Sequence, residues 1–335
     1  MQYLKHTFIQ LYRYIDLSSK GKNDANLIIG IFFAIVGTAC FSVKSIFIKL
    51  AYAYDVSATE LLTLRMVFAL PFFIAAAIYF EKRATSKLTK SDIFKIFFAG
   101  FSGYYLASLL DFIGLTYIEA SLERLILYTY PIFVMAMTGF ANKLPTPRIF
   151  VAGTAITYCG LAALFLQGDV TWSNHYLLGG FFVLLSAFTY ALYLVVAGKV
   201  IPSVGASRFN AYAMSISCII VIIQYLATPN VTIFHHTPEV YQYGLLLAFV
   251  STVIPSFMVM SGIGRIGASM TAFIGIIGPI FTIFAAFVFL GESMSINQLF
   301  GAVLIFMGVY LVGKSKKLTK TTSSPTKPMN GSPKS

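Results

Sequence analysis

Lys44, Arg65, Asp111, Glu123 and Arg124 lie within, or at the edge of, long apolar runs. The stretch "ASLERLILYTYPIF", Ala120 to Phe133, sets Glu123 and Arg124 side by side at the start of an oily segment. An ionisable side chain in hydrocarbon costs on the order of 3 kcal/mol or more unless it is paired or hydrated, so each is a functional hypothesis. Arginine suits a carboxylate, because its planar fork donates two parallel hydrogen bonds. Arg124, Arg65 and Lys44 are therefore candidates to hold an anionic group of a solute, and Asp111 and Glu123 to orient them or to bind an amine or a proton. The competing reading is that Asp111–Arg124 and Glu123–Arg65 are internal ion pairs that lock a helix bundle.

The elements around these charges follow from composition. The 335 residues are 58% hydrophobic and 11% charged, with mean hydropathy +0.80, which describes an all-α integral membrane protein. A bilayer span takes roughly 20 apolar residues. Ten runs qualify, at 27–52, 57–80, 93–118, 120–141, 149–166, 176–198, 209–227, 241–263, 268–290 and 297–313. Residues 1–26 read as a polar cytoplasmic leader and 314–335 as a basic, disordered, Pro/Ser/Thr-rich cytoplasmic tail. Net charge +12 reflects no nucleic-acid surface, because the basic residues sit in short loops flanking the spans. Of the 24 Lys and Arg, 20 lie on one side of the membrane, and the remaining four, Lys44, Lys49, Arg65 and Arg124, lie within spans or at their edges. The 20 sit on the side of the N-terminus, facing turns that hold Asp55, Asp169 and Glu239, so both termini are expected in the cytoplasm. Cys40, Cys159 and Cys218 lie inside spans and suggest neither disulfides nor zinc. No metal or cofactor is expected; His235 and His236 have no further ligand nearby in sequence.

A shift of 148 residues superposes Ala120-Ser121 on Ala268-Ser269, Pro131-Ile132-Phe133 on Pro279-Ile280-Phe281, Gly153 on Gly301 and Gly160 on Gly308. Near the front of each half an offset of 150 pairs Gly30 with Gly180 and Lys49 with Lys199. Five spans per half is an odd number, so the second half must be inserted upside down relative to the first. Two inverted five-helix repeats are the usual construction of a secondary transporter.

The region 30–313 resembles two EamA repeats of the drug/metabolite transporter (DMT) superfamily. The likeness is carried by "PIF" in the fourth and ninth spans, by Arg65, and above all by "GESMSINQLFGAVLIFMGVYLV" from Gly291 to Val312. In the first half the equivalent turn is "KLPTPR", Lys143 to Arg148, without the Gly-Glu pair. The resemblance implies repeats at 27–166 and 176–313. It also implies a ten-span carrier of the cytoplasmic (inner) membrane that moves small metabolites, commonly amino acids and their derivatives, often outward.

Depth decides which charges can meet. The third and fourth spans turn near Ile118 and Glu119, so Asp111 and Arg124 lie at one level, about 10 Å from the turn at ~1.5 Å per residue. Lys44 and Arg65 reach the same layer, and Glu123 is adjacent. Arg124, Tyr128 and Pro131 share one helix face at i, i+4 and i+7, while Glu123 points about 100° away. The second-half equivalents of Asp111, Glu123 and Arg124 are Val259, Thr271 and Ala272, so the charge belongs to one repeat. Tyr104, Tyr105, Tyr128, Tyr130 and Tyr190 need partners if buried and suit the lining of a polar cavity, Tyr105 and Tyr128 as solute contacts. Pro131, Gly278 and Pro279 mark helix breaks or hinges.

The function expected is secondary transport of an amino acid or related carboxylate-bearing metabolite by alternating access, with Asp111 and Glu123 suited to proton coupling. The partners expected are that solute and the lipid bilayer; oligomeric state has no signature here. A membrane-integral enzyme or an inert helix bundle is the alternative, and the chain holds neither an ATP-binding G-x-x-x-x-G-K-[ST] nor a nucleophile and base at catalytic spacing.

Overall fold

The structure is a computed structural model that describes residues 24–84, 86–141, 148–165, 174–228, 233–275 and 278–322. The leader up to residue 23, the "KLPTP" turn, Asp169 and the chain after 322 lie outside the described residues. The first half comprises α1 (Asp24–Ser42), α2 (Lys44–Tyr52), α3 (Ala58–Lys82), α4 (Lys90–Ala99), a π-helical segment π1 (Gly100–Leu106), α5 (Ala107–Tyr117), α6 (Ala120–Leu127), α7 (Tyr130–Ala141) and α8 (Arg148–Phe165). The second half comprises α9 (Asn174–Val204), α10 (Ala206–Leu226), α11 (Pro238–Ala248), π2 (Phe249–Val253), α12 (Ile254–Gly275), α13 (Gly278–Leu290) and α14 (Ile296–Thr322). Among the described residues, six helical stretches are long and apolar enough to cross a membrane: 27–52, 58–82, 90–117, 175–204, 206–226 and 238–262. Phe284, Phe287, Phe289 and Ile296 stand exposed on the outside, where a helix surface meets acyl chains.

Local sequence sets several helix boundaries. Ser57 and Glu60 form a capping box that starts α3, and Thr89 and Asp92 form another that starts α4, earlier than the expected boundary at 93. Pro131 does not lie inside a continuous fourth span. A proline ring clashes with the carbonyl four residues back, here Leu127, so α6 ends there and Pro131 takes the first turn of α7. Pro279 holds the matching place in α13. The last helix continues to Thr322, so residues 314–322 of the tail expected to be disordered are helical. Lysine and leucine are good helix formers there, and an established helix adds residues more easily than it starts.

Two features went unforeseen. The third and eighth spans each contain a π-helical segment, and a shift of 148 places π2 within the frame of π1. The packing also maps onto itself when the halves are exchanged: α12 lies along α1 as α9 lies along α5, while α10 with α3 and α14 with α8 are cross-half pairs. At α8–α14 the backbones approach so closely that a Cβ on Gly160 would stand 2.7 Å from the Gly301 carbonyl oxygen. Small residues permit this contact between membrane helices.

The reversal between the eighth and ninth spans takes an unusual form. α12 runs antiparallel to α1, Gly37 facing Val259 and Gly30 facing Ile266. Gly278 nevertheless packs against Thr38 and Ser42, two turns or more back along α1. Three residues at most ~3.6 Å each could not cover that return after Gly275, so the chain folds back within α12 instead of at a loop.

Candidate functional site

α1 is interrupted at Val43, which makes Lys44 the first residue of α2. α5 carries Asp111, and α6 carries Glu123 and Arg124. The Lys44 ammonium donates to Asp111 Oδ2 and lies 3.9 Å from Glu123 Oε1. Asp111 is 1% exposed and Glu123 0%. Among the described residues, Asp111 Oδ1 and both Glu123 oxygens receive no hydrogen bond.

Arg124 is held by other groups. Its Nε donates to Thr282 Oγ1 at 3.0 Å and a terminal nitrogen to the Phe41 carbonyl at 2.6 Å. Thr282 donates to the Ser42 carbonyl at 2.8 Å, and Ser42 to the Gly278 carbonyl at 3.0 Å. The Phe41 and Ser42 carbonyls are among those left at the C-terminus of α1, and the Gly278 carbonyl lies in the first turn of α13. Arg124 is only half-buried, and a guanidinium has five N–H donors, so it keeps some for another acceptor.

Arg65 is buried between the halves. Its Nε donates to Thr252 Oγ1 in π2 at 2.7 Å, a terminal nitrogen approaches Ser108 Oγ at 3.5 Å, and the guanidinium lies 5.5 Å from the Phe112 ring centroid. Tyr104 in π1 makes the counterpart contact, with its hydroxyl donating to Asn210 Oδ1 at 3.0 Å. Each π segment is thus held by a polar side chain from the second span of the opposite half. π-bulges leave the regular ladder locally unpaired and recur at functional sites.

Of the five charges expected in one layer, Lys44, Asp111 and Glu123 come together, while Arg124 and Arg65 bond to other groups. Asp111 pairs with Lys44 in place of Arg124, and Arg65 meets hydroxyls and an aromatic ring in place of Glu123. Lysine reaches both acids because its long stem starts at the α1–α2 break, a kink with no marker in the sequence. Tyr128 is buried against Tyr130 and Phe306, and Tyr105 packs against Phe101 with the rings tilted by 40°. A chain of rings runs from Tyr130 to Tyr190, 5.2 Å apart, on to Tyr193 at 5.7 Å and from Tyr193 to Tyr104 at 4.8 Å. Tyr193, Asn210, Thr252 and Thr282 were missed because nothing in a lone polar residue within an apolar run tells which way it faces. Among the described residues no three His, Cys, Asp or Glu converge as metal ligands would, and His236 meets Glu60 at 3.3 Å.

The description of the EamA-like transporter family matches residues 28–166 and again residues 177–314. The chain belongs to the EamA-like transporter family. It is a multi-pass integral membrane protein of the DMT type, built from two copies of the family unit. It is 33% identical over 282 residues to the uncharacterized transporter YcbK of Bacillus subtilis (strain 168), covering 83% of this chain and 90% of that one. An uncharacterized transporter of Archaeoglobus fulgidus is 24% identical, over 79% of this chain and 91% of its own. A solved structure described only as "Crystal structure of protein" superposes with TM-score 0.56 at 15% identity, over 90% of this chain and all of that one, a likeness of fold.

Proposed function

We propose that this EamA-family protein is a secondary carrier exporting a small carboxylate-bearing metabolite, an amino acid or a relative of one, across the cytoplasmic membrane, coupled to protons. The observation that carries the reading is Arg124. It is half-buried and keeps N–H donors to spare, an arrangement suited to a carboxylate. Its anchors come from both repeats, Phe41 from the first and Thr282 from the second, so motion between the halves would remake the site. That coupling is what alternating access between inverted repeats requires.

Lys44, Asp111 and Glu123 form the proton site in this reading. Two buried carboxylates share one ammonium, which leaves one negative charge without a counter-charge. A single proton neutralises it, and the like charges disfavour loss of both protons together. Arg65 ties π2 of the second half, through Thr252, to the first half, where it also reaches Ser108 of α5. The outward direction and the ten-span inverted topology rest on the family likeness and on the odd number of spans per half.

The test uses purified protein in liposomes with a panel of radiolabelled amino and carboxylic acids. A solute taken up by wild type is expected to lose at least tenfold in Arg124→Ala, with Arg124→Lys in between. In Asp111→Asn and Glu123→Gln, exchange across the membrane is expected to persist while uptake driven by a pH gradient is lost. Full pH-driven transport in both acid variants would rule out the proton site, and full uptake in Arg124→Ala would rule out the solute site.

A further inference from the structure

The Gly291-Glu292 pair, the most specific motif in the sequence, lies outside the cluster of Lys44, Asp111, Glu123 and Arg124. Gly291 follows the last residue of α13 with φ +66°, the left-handed region glycine enters freely. The Glu292 N–H then donates to the Ala286 carbonyl at 3.3 Å, six residues back, closing off the end of α13. The turn aims the Glu292 side chain at the other repeat. Its carboxylate accepts from Ala120 N–H at 2.9 Å, from Ser121 N–H at 3.1 Å and from the Ser121 hydroxyl at 2.7 Å. These backbone groups belong to the first turn of α6, whose N-cap residue, Glu119, offers no side-chain cap. A helix of the first repeat is therefore capped by a carboxylate of the second, where the charge also favours the helix dipole.

α6 has eight residues, so Glu123 and Arg124 lie one turn from the cap. The second repeat provides an internal contrast. The shift of 148 puts Lys143 and Leu144 in the places of Gly291 and Glu292, so the chain has no equivalent acid to offer at Ala268-Ser269. There the chain turns back with no extended residues in between, inside the stretch Ile254–Gly275. Where the acid is present, Ile118 and Glu119 are extended and a new helix starts at Ala120.

We propose that Glu292 is a positioning residue for the solute and proton site: it caps α6 across the repeat boundary and so fixes the register of Glu123 and Arg124. This rests on the reading that α6 carries that site.

The experiment compares wild type, Glu292→Gln and Glu292→Ala in lipid nanodiscs. Amide exchange of peptides covering 118–127 gives one readout, and modification of Arg124 by phenylglyoxal, followed by mass spectrometry, gives a second. Glu292→Ala is expected to speed exchange in the α6 peptides by about tenfold, from loss of a charged cap, while other spans stay unchanged. Arg124 modification is expected to change several-fold in parallel. Glu292→Gln, which keeps one acceptor oxygen at the same reach, is expected to fall in between. Unchanged α6 exchange, or loss of protection spread evenly over all spans, would overturn the proposal, the second outcome marking a general stability role. Altered α6 exchange with panel transport intact would uphold the cap and overturn the placement of the solute on α6.

Discussion

Replacing Lys44 by Met removes the one ammonium that serves two buried acids. Asp111 is 1% exposed and Glu123 0%. Arg124 is already bonded to Thr282 and Phe41, and among the described residues Lys44 is the cation that comes within ion-pair distance of either acid. Breaking a buried pair in this way costs about 3–5 kcal/mol, because it strands a charge instead of removing one. That amounts to a factor of roughly 10² to 10³ or more in the folded-to-unfolded ratio. The double variant Lys44→Met/Asp111→Asn returns the cluster to the wild-type net charge, one negative charge, and is expected to recover about 2 kcal/mol or more of the loss, read as a coupling energy. Unfolding can be titrated with SDS in mixed micelles and followed by labelling of Cys218, which is fully buried, in a background where exposed Cys159 is Ser. The single variant is expected to lose more at high pH than at low, since a proton can stand in for the missing ammonium. A single-variant loss below about 1 kcal/mol, or strict additivity in the double variant, would refute the claim that Lys44 neutralises the acids.

Two further outcomes follow from the packing. Arg208 joins the halves at the far end of α10, donating from Nε and a terminal nitrogen to the Glu81 carboxylate, each at 2.7 Å, and from its third nitrogen to the Ser86 carbonyl at 2.9 Å. Arg208→Lys keeps the charge but gives up the fork, and is expected to cost about 1–2 kcal/mol in the same titration, with Arg208→Ala costing more. Gly160→Ala would drive a Cβ into the Gly301 carbonyl, so the α8–α14 contact must open; a loss of about 1–3 kcal/mol is expected, against little for Gly139→Ala, where a Cβ meets nothing within 4 Å.

The membrane layer of the charges was legible in the sequence because depth is nearly linear in residue number along a helix. A rise of ~1.5 Å per residue puts Lys44, Asp111 and Arg124 at one level whatever their neighbours are. The repeat was legible for a related reason: a duplicated sequence keeps Pro131 and Pro279, or Gly160 and Gly308, at a constant offset even where the charges have diverged. The choice of partners within the layer was not legible. Asp111 could have met Arg124 or Lys44, and the outcome turned on a kink at Val43 and on the lateral order of the helices. The π segments were invisible for another reason: one extra residue in a helical turn alters neither hydropathy nor composition.

Composition and periodicity alone determined that this chain lives in a membrane, that its two halves are copies, and that its intramembrane ionisable residues are concentrated in the first half. Those conclusions need only the cost of polar groups in hydrocarbon and the fixed rise of a helix. Tertiary structure decided the rest: that Lys44 serves both acids, that Arg124 is anchored by both halves, and that Glu292 caps a helix 171 residues before it. Hydrogen bonds and ion pairs act over about 3 Å, so they depend on which helix faces lie together, and that depends on packing, not on distance along the chain.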